Sequence, residues 1–266
     1  MKFQRTKPIL FLITFIFSIG LVACNTSSSD SPTALPEPTQ EPTEPAPTEQ
    51  VASPVPLPTD TPAPIYEEFY TEDFTGDTSQ WTYFLVDANR PAPLRVDEDF
   101  GTLFVGAKDE RYLFKLESEG QWAYVTYGAF EYKNVRLDVV ADNRGVNKNS
   151  VSLICRYTDT GWYEFNIANN GLYNIYYAQV LDNNKMVYHP IKNGGANKIK
   201  SGKEVNEYSI ICEEKTLTLY VNGDERISFE ENDYALREGK IGVGVSSFDI
   251  LPVEVEIDTI IISQPK

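Results

Sequence analysis

The chain has 266 residues, with 39 acidic side chains against 23 basic ones and a formal net charge of −16. Such an acidic surface repels phosphate backbones and anionic headgroups, which argues against nucleic-acid partners. With one histidine, His189, and three cysteines, the chain offers no recognisable four-ligand zinc set and at most one histidine-based triad.

Residues 1–23 open the chain with Lys2, Arg5 and Lys7, followed by an uncharged apolar run from Ile9 to Ala23. That layout is an export signal, and it is short for a transmembrane helix. Its end, Leu21-Val22-Ala23-Cys24, resembles the lipobox of bacterial lipoproteins. The resemblance implies that Cys24 is acylated and becomes the mature N-terminus, so the expected location is extracytoplasmic, lipid-anchored to the membrane. Loss of the three basic residues leaves a mature chain of charge −19.

Residues 24–65 are dominated by Pro, Thr, Ser and Glu and contain no aromatic side chain. They cannot bury enough apolar surface to offset the entropy of ordering, so a disordered tether is expected, extending at most about 120 Å as polyproline II. Residues 66–266 then read as one large domain.

In that domain, short runs rich in Val, Ile, Tyr, Phe and Thr alternate with Gly, Asn and Asp clusters. They begin at "WTYFLV" (81–86), "RYLFKL" (111–116) and "WAYVTY" (122–127). "NVRLDVV" (134–140), "VSLICRY" (151–157), "WYEFNI" (162–167) and "LYNIYY" (172–177) follow. The series closes with "EYSIIC" (207–212), "KTLTLYV" (215–221), "RISF" (226–229), "KIGVGV" (240–245) and "VEVEIDTIII" (253–262). Asn222-Gly223 and Asn170-Gly171 supply the positive φ values of tight hairpin turns. Many short strands with regular turns predict an all-β, antiparallel two-sheet sandwich.

"EDFTGDTSQW" (72–81), the stretches 154–177 and 206–229, "GKIGVGV" (239–245) and the closing "VEVEIDTIII" resemble landmarks of concanavalin A-like lectin/glucanase sandwiches. More narrowly they resemble laminin-G-like modules and the 3-keto-disaccharide hydrolase family. The resemblance implies a jelly roll with adjacent N- and C-terminal strands and one concave sheet. It also implies a carbohydrate ligand, or a glycoside-type substrate.

With Cys24 taken by the anchor, Cys155 and Cys212 form an even pair in a compartment where disulfides persist. Both end an apolar run, so neighbouring strands could bring them into bridging range; two inert buried thiols are the alternative. A catalytic thiol would need His189 as its base, in the loop-like "YHPIKNGG". No Gly-x-Ser-x-Gly elbow occurs, and the glycines of "GKIGVGVS" lack the Lys-Ser/Thr of a phosphate loop, so they read as a glycine-bearing strand.

Glu254, Glu256 and Asp258 alternate along the last run, on one face of a strand. Glycosidases use two carboxylates about 5–10 Å apart, and family-16 glucanases carry alternating acids on one strand. Their order, Glu-x-Asp-x-x-Glu in mid-chain, differs from this one, so the three acids read as a solvated face. The acid-rich "VDEDFG" (96–101) could offer oxygen ligands to calcium, although its spacing matches no EF-hand.

Sugar recognition needs aromatic faces and planar polar groups. If Leu153, Cys155, Phe165 and Ile167 point inward, then Arg156, Glu164 and Asn166 point outward with Trp162, and Tyr176 lies on the following strand. These five are the expected ligand-binding residues, with no catalytic residue assigned. Three readings follow: a non-catalytic module binding carbohydrate or another surface ligand, a glycoside-type hydrolase using Glu164, and an envelope domain that binds a protein neighbour.

Overall fold

The computed structural model describes residues 65–88, 94–96 and 103–266. The expected export signal, Cys24, the expected tether and most of the acid-rich 96–101 loop lie outside the described residues. Among the described residues there is no α-helix.

Sixteen strands are described. The first eight are β1 (Thr71–Glu72), β2 (Trp81–Asp87), β3 (Leu94–Val96), β4 (Leu103–Lys108), β5 (Arg111–Leu116), β6 (Gln121–Tyr127), β7 (Val135–Asn143) and β8 (Asn149–Thr158). The rest are β9 (Gly161–Ala168), β10 (Leu172–Val180), β11 (Met186–Gly195), β12 (Val205–Glu213), β13 (Thr216–Val221), β14 (Asp224–Glu230), β15 (Lys240–Ser247) and β16 (Val253–Ser263). The first sheet runs β14-β13-β12-β7-β16-β5-β4, with β1 also paired to β16; the second runs β11-β10-β9-β8-β15-β6-β2-β3. All pairings are antiparallel. The expected adjacency of first and last strands is present as Thr71 opposite Ile261.

Period-two alternation builds the core. Leu137 and Val139 of β7, Leu153 of β8, Phe165 of β9, Ile210 of β12 and Val243 of β15 point between the sheets and are buried in one cluster. Fully burying each such side chain contributes about 1.5–3 kcal/mol. Cys155 and Cys212 are disulfide-bonded, with Cα atoms 6.7 Å apart. The bridge does not join neighbouring strands: β8 belongs to the second sheet and β12 to the first, so the two half-cystines meet across the core.

Asn222 and Gly223 both have positive φ (50° and 77°), as a two-residue hairpin turn demands. The β9–β10 connection differs from expectation. Ala168 pairs with Leu172, leaving a three-residue loop in which only Gly171 is left-handed (φ 87°).

On the outer face of the first sheet, Glu256 and Asp258 meet Arg111 at 2.8 and 3.3 Å, and Arg144 joins Glu256 and Asp142. Glu256 and Asp258 of β16 thus belong to a solvated, ion-paired surface. His189 lies on β11, not in a loop; its ring stacks on Tyr177 and Nε2 meets Gln179 Oε1 at 2.9 Å.

Candidate functional site: a groove on the outer face of the second sheet

The register of the second sheet places its outward side chains in rows. One row reads Phe84, Tyr124, Gly244, Ser152, Asn166, Asn174, and the row beside it Val86, Trp122, Ser246, Ser150, Ala168, Leu172. On the other side of the first row run Ile154, Glu164 and Tyr176. In the first two rows side chains are therefore small on the central strands β15 and β8 (Gly244, Ser246, Ser152, Ser150) and large on β6 (Tyr124, Trp122), while Leu172 and Tyr176 rise on β10. A groove follows from that size pattern. Its volume is about 390 Å³, within the range of small-ligand sites, and its lining includes Trp122, Glu164, Asn166, Tyr176, Tyr188 and Phe248. A second concavity shares Ala168, Asn170 and Phe248 with it and continues to Lys148 and Ile250.

The glycines of β15 have a definite role here. A Cβ on Gly244 would stand 2.4 Å from Cδ1 of Tyr124, so its absence lets the tyrosine ring lie across the strand. Phe84 stacks on that ring at 4.9 Å, and Trp162 meets both edge-on. Together with Ile154 they form a second apolar cluster, distinct from the inter-sheet core.

Glu164 sits where this cluster meets the groove. Its residue is 1% exposed, and among the described residues it is the one carboxylate lining the groove. Four neutral donors surround it. Tyr124 Oη donates to Oε2 at 2.8 Å and Ser152 Oγ to Oε1 at 2.8 Å, while Trp162 Nε1 and Asn166 Nδ2 lie at 3.4 and 3.5 Å. Burial raises the Glu164 pKa above the ordinary carboxylate value, and the hydrogen bonds from Ser152, Tyr124, Trp162 and Asn166 offset part of that rise. Desolvation likewise raises the pKa values of Tyr124 and Tyr188, which the nearby Glu164 charge pushes in the same direction.

A raised folded-state pKa fixes the sign of a stability effect. Glu164 favours folding below its unfolded pKa, and that contribution is lost as pH rises through the higher folded value. The melting temperature of the wild type relative to Glu164→Gln is therefore expected to fall as pH is raised from the acid range towards neutrality. A difference that is flat with pH, read by thermal unfolding, would remove this account of Glu164.

Of the five residues expected to bind ligand, Glu164, Asn166 and Tyr176 line the groove. Trp162 shares their face but is fully buried beneath Phe84, Tyr124 and Tyr157, and its indole supports Glu164 from below. Arg156 is a correction. It has φ 55° at a register shift between Cys155 and Thr158, so the extra residue breaks the alternation and the side chain leaves the outer face. Its guanidinium donates to the carbonyl oxygens of Leu236 and Glu214, each at 2.7 Å, and lies 5.9 Å from the Tyr163 ring.

The other lining residues, among them Trp122, Tyr188 and Phe248, lie outside those five. Tyr188 comes from β11, whose run "MVYHPIKNGG" carries a proline and is an edge strand. Beneath the groove, Ser152 is fully buried and donates to Glu164, a role set by its register opposite Asn166. Phe248 directly follows β15. The tyrosine of β11 had a usable signal, because Pro is tolerated at a sheet edge.

No protein-family profile matches the chain, and no curated protein sequence matches it. Solved structures do. A glycoside hydrolase family 16 endo-glucanase from Bacteroides ovatus superposes with a TM-score of 0.52 at 13% identity, covering 73% of this chain and 99% of that one. The GH16 structure from the Bacteroides ovatus mixed linkage glucan PUL, in complex with a product, gives 0.52 at 12% identity with the same coverage. At this level of identity the likeness concerns the fold, and the domain is a concanavalin A-like jelly-roll sandwich.

Proposed function

We propose that the groove binds carbohydrate without catalysis, and that the domain is held outside the cytoplasm on a lipid-anchored tether. The observation that carries the first part is the arrangement of Trp122, Tyr176 and Tyr188 around the polar floor of Glu164 and Asn166. Aromatic rings offer faces for sugar C–H groups, and planar polar groups fix hydroxyl directions. The fold shared with two glucan-acting enzymes supports the ligand class. The basic n-region, apolar run and Leu21-Val22-Ala23-Cys24 box support the anchor. Modest single-site affinity suffices for a protein displayed in many copies.

One observation favours hydrolysis as a second reading: Glu164 is a groove carboxylate with a raised pKa, as a general acid requires. Hydrolysis by the usual routes uses two carboxylates, and the groove's described lining supplies one.

A glycan array probed with the full chain tests both. Binding is expected, and Trp122→Ala or Tyr176→Ala is expected to weaken it about tenfold, the loss of one aromatic contact. Release of reducing ends from a bound glycan would replace the binding reading with the hydrolytic one. An array with no hits from folded protein would favour a protein partner.

A further inference from the structure

The hydrogen bonds around Glu164 have a direction. Tyr124 has one hydroxyl hydrogen and commits it to Glu164. Its contact with Tyr188 Oη at 3.1 Å must then be one in which Tyr188 donates. Tyr188 has therefore spent its only hydrogen on Tyr124, and its oxygen is left as an acceptor on a residue that lines the groove. Asn166 behaves alike: its Nδ2 points at Ser150 Oγ, Ser152 Oγ and Glu164 Oε1, at 2.9, 2.9 and 3.5 Å. Its Oδ1 takes no hydrogen bond from the described residues, and Asn166 lines the groove. The donors of Tyr124, Tyr188 and Asn166 are thus engaged within the floor, which leaves Asn166 Oδ1 and Tyr188 Oη as acceptors beside Glu164.

Charge points the same way. The groups that face Glu164 are Tyr124 from β6, Ser152 from β8, Trp162 and Asn166 from its own strand, with Tyr188 of β11 and Tyr176 of β10 nearby. None of them is a cation, and none of the ion pairs among the described residues includes Glu164. A buried anion without a counter-charge is costly. The groove walls are aromatic faces, which attract cations.

We infer that the groove selects a saccharide carrying a free, protonated amine, an amino sugar without its acetyl group. The ammonium would donate to Asn166 Oδ1 and Tyr188 Oη, against the aromatic wall, and would supply the positive charge that Glu164 lacks. This rests on the carbohydrate reading of the groove given above, and it adds the class of sugar.

The test is calorimetric titration of the full chain with a β-1,4-linked glucosamine tetramer and with the same tetramer fully N-acetylated. The free-amine tetramer is expected to bind at least tenfold more tightly. Its affinity should rise with pH as Glu164 loses its proton and fall again as the amine loses its own. Glu164→Gln is expected to reduce the preference about tenfold, the loss of one nearby full charge. Tyr188→Phe removes one acceptor while leaving the carboxylate in place, and should weaken the amine ligand even if the Glu164 variant folds poorly. Equal or tighter binding of the acetylated tetramer would overturn the amine assignment and leave the carbohydrate reading standing. Binding of neither tetramer nor any other glycan by folded protein would overturn both. Binding of trimethyllysine peptide or choline without any amino sugar would keep the cation and remove the saccharide, which also overturns the proposal.

Discussion

Replacing Cys155 and Cys212 together by alanine is expected to lower the unfolding free energy by about 4 kcal/mol, the chain-entropy value for a loop of this size. The bridge closes a separation of 57 residues, and that segment contains β9, β10 and β11, which complete one side of the second sheet. Without it, the unfolded chain regains the freedom of those strands, while the folded chain retains its inter-sheet core. The second sheet's groove is built on β6, β8, β9, β10 and β11, so a destabilised variant should still bind ligand whenever it is folded. Urea unfolding of the wild type and the double alanine variant measures the difference. A loss below about 1 kcal/mol would mean that the cross-link restrains little of the unfolded ensemble.

Strand positions were written in the chain wherever apolar side chains alternate without interruption. β7 is the clearest case: Val135, Leu137 and Val139 are buried, and Arg136 and Asp138 pair on the outside. Alternation also placed Glu164, Asn166 and Tyr176 on a common outer face, which is where they are. It failed where the backbone departs from period two. Arg156 sits at a bulge, a local insertion that apolar patterning does not mark. Gly239 was the available clue: a Cβ there would lie 2.6 Å from the Arg156 carbonyl carbon, so the glycine permits a close approach to the bulged segment. β11 was missed because its Pro190, Lys192 and Asn193 suit an exposed edge. The disulfide partners were identified from compartment and number, but pairing across the sandwich needed the strand order of both sheets. The direction of the hydrogen bonds around Glu164 was out of reach, because it depends on residues from β6, β8 and β11 that only the fold brings together.

Arg156→Ala is expected to cost about 3 kcal/mol of stability and to leave ligand binding by the folded protein unchanged. The side chain is 1% exposed, and its two strong bonds go to main-chain carbonyls in different loops, Glu214 after β12 and Leu236 before β15. Hydrogen bonds from a charged donor contribute about 1.5–3 kcal/mol each, and removal would also strand the carbonyls. The loop it holds is ordered from the other side by Glu231. That carboxylate accepts the Tyr163 hydroxyl and the N–H groups of Asp233 and Tyr234 at 2.7 and 2.8 Å, and Leu236 N–H returns to Tyr163 Oη at 3.1 Å. Arg156 and Glu231 thus close the same segment against β8 and β9, next to the half-cystine at Cys155. Arg156→Lys should recover only part of the loss, because a single ammonium cannot span carbonyls that a planar fork reaches together. Chemical denaturation and ligand titration on the same variants separate the roles. Unchanged stability with lost binding would return Arg156 to the ligand site; lost stability with retained binding keeps it as the clamp at the end of the sandwich.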